Sequence, residues 1–129
     1  MNNSITHLKT KAFAIRIIHL YKFLTDEKHE FILSKQLFRC GTSIGANTHE
    51  SNNAQSKLDF IHKLSIALKE ADETSYWLDL LVETNYIEQD LFESIKKDLK
   101  EIIALLQNKT LTLNFFFIFH LYFFIFIFI

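Results

Sequence analysis

Between Phe60 and Leu81 the sequence repeats without a miss: Phe60, Leu64, Ala67, Ala71, Thr74, Leu78 and Leu81 alternate steps of four and three. A helix brings such a series onto one line. Steps of four and three are those of an a/d seam, which stays in contact along its length when helices cross at about 20°. The chain has no proline and two glycines, so few breaks are forced and apolar spacing assigns the rest.

Phe13, Ile17, Leu20 and Leu24 predict a first helix over about residues 7–25. "TDEKHE" (25–30) is the expected turn, although nothing in it compels one. Leu33, Leu37, Cys40 and Ile44 repeat the steps for a second helix, reaching about Ser51. "SNNAQ" (51–55) is rich in residues that bond their own backbone and reads as a connection. Ser56 with Asp59 three residues on resembles a cap opening the third helix, which should end near Glu83 with Asn85 as a left-handed terminator. Leu91, Ile95, Leu99, Ile102 and Leu106 mark a fourth. Short links imply antiparallel neighbours, so residues 1–108 are expected to form an all-α, antiparallel up-down-up-down four-helix bundle.

Residues 109–129 are an atypical apolar tail. "NFFFIFHLYFFIFIFI" (114–129) holds eight of the fourteen Phe residues, no charge and no amphipathic period. Phe, Ile, Leu, Asn, Tyr and Lys all have codons made of A and T alone, so a frameshift or read-through into T-rich DNA gives this composition. The tail is therefore read as lying outside the fold, and in water it is an aggregation hazard. The alternative is a C-terminal membrane anchor: sixteen to nineteen helical residues span about 24–29 Å, against a hydrocarbon core of about 30 Å. The flanking Trp and clustered Lys/Arg that usually fix such a helix are missing.

The net charge of −1 argues against a generally basic nucleic-acid binder, but the charge is unevenly spread. Met1–Thr25 carries Lys9, Lys11, Arg16 and Lys22 and no acid, whereas acids outnumber bases by twelve to six from Cys40 to Asn108. The plain reading packs a basic first helix beside acidic later ones. The alternative makes these four cations a contact for RNA or DNA. Cys40 is the only cysteine, so neither an internal disulfide nor a cysteine-based zinc site can form, and no signal-peptide core opens the chain; the expected compartment is the cytoplasm.

Both glycines stand in "CGTSIGANTHE" (40–50). Each costs a helix about 1 kcal/mol relative to Ala, so Gly41 and Gly45 call for a compensating gain. Close approach of a neighbouring helix is the simplest, and a ligand or phosphate contact is the alternative. Gln36, Arg39, Ser43, Asn47 and Glu50 form a polar stripe on one flank of the second helix. Glu70, Glu73 and Trp77 form a facing stripe on the third. Arg39 is expected to pair with a carboxylate there, with Ser43 and Asn47 adding hydrogen bonds. A structural network, a functional site and a solvated face are the three readings of these stripes. No Glu-x-x-His occurs and no two of the six histidines are four apart, so no metal site is expected. Cys40 has no histidine at helical contact spacing and reads as a small core residue. With no phosphate-binding glycine loop either, neither catalytic residues nor a cofactor is expected.

"QLFRCGTSIGANTHES" followed by "SKLDFIHKLSIALKEADETSYWLDLL" resembles the 23S rRNA intervening-sequence, or S23-like, proteins. Their pattern is an Arg, a Ser-Ile-x-x-Asn-x-x-Glu run, a Ser-x-x-Asp-Phe, and a long helix with Ala-x-x-x-x-x-Glu-Thr. Arg39, Ser43, Ile44, Asn47, Glu50, Ser56, Asp59, Phe60, Ala67, Glu73 and Thr74 fit it, within a likeness covering about residues 8–106. The resemblance implies a cytoplasmic bacterial four-helix bundle, homo-oligomeric and pentameric, with no established enzyme activity. A related accessory protein of diversity-generating retroelements forms a basic pentameric barrel that engages nucleic acid and a reverse transcriptase.

Overall fold

The computed structural model describes residues 4–128. Of the expected 1–108 and 109–129 segments, residues 1–3 and 129 lie outside it. Four helices follow one another: α1 (Ile5–Asp26), α2 (Leu33–Ser51), α3 (Lys57–Glu83) and α4 (Gln89–Phe128). Each packs on its neighbour in sequence, α1 closes against α4, and the diagonal pairs do not touch. The result is an antiparallel up-down-up-down four-helix bundle.

The seams read from sequence are its core. Phe13, Ile17, Leu20 and Leu24 of α1 are buried, as are Leu37, Cys40 and Ile44 of α2. From α3 come Leu64, Ala67, Ala71, Thr74, Leu78 and Leu81, with Phe60 half-buried at the edge; α4 adds Ile95, Leu99, Ile102 and Leu106. The buried Ser34, Thr10, Thr48, Ser51 and Thr74 donate their hydroxyls to carbonyls three or four residues back, so their burial leaves no stranded hydroxyl.

Local chemistry sets the ends. Ser4 Oγ accepts from the His7 N–H at 3.2 Å and opens α1. Ser56 Oγ accepts from the Asp59 N–H at 3.1 Å, while the Asp59 carboxylate accepts from the Gln55 N–H at 3.2 Å. The reciprocal bond thus lands one residue ahead of an ordinary capping box. After α3, Asn85 takes a φ of 64°, and the Tyr86 N–H reaches back to the Leu81 carbonyl at 2.9 Å. The α4 helix does not stop at Leu106: no glycine or proline interrupts it, the Thr110 and Thr112 hydroxyls bond back to Leu106 and Asn108, and it runs to Phe128 with exposed side chains.

The turn between α1 and α2 holds the one anchor that sequence spacing does not disclose. His29 has a φ of 52°, and the following N–H of Glu30 bonds to the Leu24 carbonyl at 2.9 Å. Glu30 is thereby tucked in, 7% exposed, with its carboxylate on the first turn of α2. It accepts from the N–H groups of Ile32, Leu33 and Ser34 at 2.9, 2.8 and 2.6 Å, and the Ser34 hydroxyl donates to the Glu30 carbonyl at 2.7 Å. One side chain therefore satisfies three helix N–H groups in the absence of a capping side chain at Ile32. Burial works against the charge, but the N–H bonds from Leu33, Ser34 and Ile32 outweigh it and hold the carboxyl below the usual glutamate range.

Glu30→Ala is expected to cost about 1–3 kcal/mol in a denaturant titration, because it strands these N–H groups. A carboxyl with a lowered folded pKa contributes above its unfolded pKa of about 4.3 and stops contributing as pH falls through the folded value. The stability gap between the native chain and Glu30→Gln should therefore be widest near neutral pH and shrink in acid.

Candidate functional site

The two glycines of α2 face α1. A Cβ placed on Gly45 would lie 3.2 Å from the Thr10 carbonyl oxygen, a backbone atom. One placed on Gly41 would lie 2.9 Å from Ile17 Cγ1, inside the core. The smallness of both residues thus sets how closely α1 and α2 approach. Beside them the imidazoles of His7 and His49 stand 5.4 Å apart, centroid to centroid, and His7 Nδ1 is buried with no hydrogen-bond partner. This pair joins residues far apart in sequence, so spacing within one helix gave no signal of it.

On the opposite flank of α2 the polar stripe meets α3. Arg39 donates from Nη2 to Glu73 and from Nη1 to Glu70 Oε2 at 3.3 Å. The Trp77 indole N–H donates to Glu73 Oε1 at 3.2 Å, which fixes that carboxylate. Arg39, and then the Trp77 N–H, hold the Glu73 carboxyl below its usual range. The remaining stripe residues do otherwise. The Ser43 hydroxyl donates to the Arg39 carbonyl at 2.6 Å and the Asn47 amide to the Ser43 carbonyl at 2.8 Å, both within α2. Short Ser and Asn side chains within a helix readily bond a carbonyl one turn back, as these two do. Glu50 reaches α3, but at Lys63, 2.7 Å away.

The cations of α1 divide into two pairs. Lys9 meets Glu101 at 2.6 Å; Arg16 meets Asp98 at 2.6 Å and Ser94 Oγ at 2.7 Å. The basic first helix thus packs on an acidic stretch of α4, and a hollow lined by Ala12, Phe13 and Ile102 lies among these pairs. Lys11 and Lys22 are exposed and form no ion pair with the described residues.

Nothing in this arrangement points to bond chemistry. Cys40 is fully buried, its Sγ 3.6 Å from the Leu37 carbonyl, and burial pushes its thiol pKa up, away from the nucleophilic thiolate. Among the described residues no three His, Cys, Asp or Glu side chains stand close enough together to hold a metal ion.

Compared with known proteins, residues 3–108 match the family model described as 23S rRNA-intervening sequence protein. A solved structure from Bacteroides thetaiotaomicron, of a protein of unknown function from the S23 ribosomal protein family, is 54% identical to this chain and superposes with a TM-score of 0.81. That match covers 98% of the solved chain and 82% of this one. No curated protein matches.

Two substitutions probe this geometry. Gly45→Leu improves helix propensity by somewhat under 1 kcal/mol, yet should lower stability by about 1–3 kcal/mol, because the side chain must displace the Thr10 backbone; a chemical denaturation curve reads the sign. Arg39 is 49% exposed, so Arg39→Ala should cost no more than about 1 kcal/mol. Double-mutant cycles should give a larger coupling to Glu73, which Trp77 also holds, than to Glu70.

Proposed function

The chain belongs to the 23S rRNA-intervening sequence protein family, and from that membership we propose that it is a non-enzymatic interaction protein of the cytoplasm whose first partner is another copy of itself. The observation that carries this reading is the outer face of α1. At about 100° per residue, Leu8 and Ile15 point within about 20° of each other and away from the Phe13–Leu24 seam. They are 49% and 46% exposed. Ile5 and Phe23, also exposed, lie about 70° round the helix from them, toward α4. This face of α1 is uncovered by its own bundle, and an exposed apolar pair on it, set among Lys11, His19 and Lys22, supports an interaction surface there. A closed ring places the same helix at every interface, and five copies is the number that the resemblance implies.

The nucleic-acid reading relies on Lys9, Lys11, Arg16 and Lys22. Two of these are already committed to Glu101 and Asp98, which leaves Lys11 and Lys22 to meet phosphates. A surface with so few free cations should bind weakly, and because few counterions are released its binding should fall only shallowly with added salt.

Sedimentation of residues 1–108 at tens of micromolar should give an oligomer, and Ile15→Glu together with Leu8→Glu should give a helical monomer. A native chain that is helical and strictly monomeric would overturn the proposal. Tight binding to structured RNA by the double variant would favour the nucleic-acid reading instead.

A further inference from the structure

The apolar tail is a helix without a wet side. Leu111–Phe128 carries no charged residue, and an eighteen-residue window of α4 reaches a mean hydropathy of 2.1 with none of it buried. From Phe115 to Phe119 every successive side chain is at least half exposed, the least being Phe117 at 50%. Successive residues are turned by about 100°, so these five cover the whole circumference. A second helix laid against it would cover one side and leave the others in water. A medium that covers all sides at once is hydrocarbon, and a helix apolar all round is stable either in a large core or in a membrane. The family match ends at residue 108, and the bundle core ends at Leu106, so no core is left to receive the tail.

We propose that the tail beyond about Phe117 inserts into the hydrocarbon of a lipid bilayer and holds the bundle to the membrane by one end. Its backbone groups before the last turn are suited to that medium, because an unbroken helix satisfies them internally. The Thr110 and Thr112 hydroxyls at its root are bonded to carbonyls of their own helix. Lys57 at the start of α3 lines a hollow with Phe116, Phe117 and His120. Lys57 sets the headgroup level beside Phe116–His120 and favours anionic lipid. The segment beyond Phe117 then extends about 16 Å, enough to reach past one leaflet.

The test uses the full chain, synthesised cell-free with vesicles of phosphatidylcholine and phosphatidylglycerol and floated on a density gradient. The expected result is flotation with the lipid that survives an alkaline carbonate wash. Phe119→Asp, in the middle of the tail, should reduce the floated fraction about a hundredfold. Undiminished flotation of that variant would overturn the proposal, as would release of the native chain by carbonate. Recovery in lipid-free aggregates despite the vesicles would also overturn it, by making a second tail the occupant. Sedimentation of Phe119→Asp reads self-association separately, so this inference and the proposed function fail on different measurements.

Discussion

The carbonyl oxygen of Thr10 crowds any side chain placed on Gly45, and α1 and α2 meet closely at that contact. Two helices that touch at a backbone have a fixed separation and a fixed roll. With α1 so placed, Phe13, Ile17, Leu20 and Leu24 must point inward, Lys9 and Arg16 must lie toward α4, and Leu8 and Ile15 must face away. The core, the ion pairs and the outer apolar stripe are three consequences of one close approach. The glycines cost helix propensity, and the packing they permit is what offsets it.

Much of this was legible because a/d spacing is a local property of the sequence, and a helix converts it directly into a burial pattern. The Phe60–Leu81 series, the Asn85 terminator and the Ser56–Asp59 cap needed only neighbours three to seven residues apart. Glu30 was not legible, because its value depends on a left-handed His29 that turns a charged residue inward. In the sequence it is one more polar residue in a hydrophilic turn. His7 and His49 are likewise joined only by the register of α1 on α2. The polar stripe was legible in part. Arg39 finds Glu70 and Glu73 across the helix pair, but Ser43 and Asn47 are short enough to bond their own backbone first.

The outer face of α1 escaped notice for a different reason. Periodicity finds the strongest stripe in a helix, and the Phe13–Leu24 seam accounts for one apolar set so well that a second, opposed set looks like scatter. Exposure separates the two. Single apolar residues on a surface are ordinary; Leu8 and Ile15 stand out because they align on one side of one helix.

The sides of the bundle are not equivalent. Three are made between helices adjacent in the chain, while the fourth joins α1 to α4, whose bridging residues lie 82 and 92 positions apart. Hairpins of consecutive helices need only a short loop to close, whereas the last side must gather both ends of the domain. It is also the side where Lys9–Glu101 and Arg16–Asp98 bridge the helices, with charges open to screening. Closing that side therefore costs more chain entropy than closing any of the hairpins. The α1–α4 side is thus the one whose formation depends on nearly the whole length of the domain, from Lys9 to Glu101.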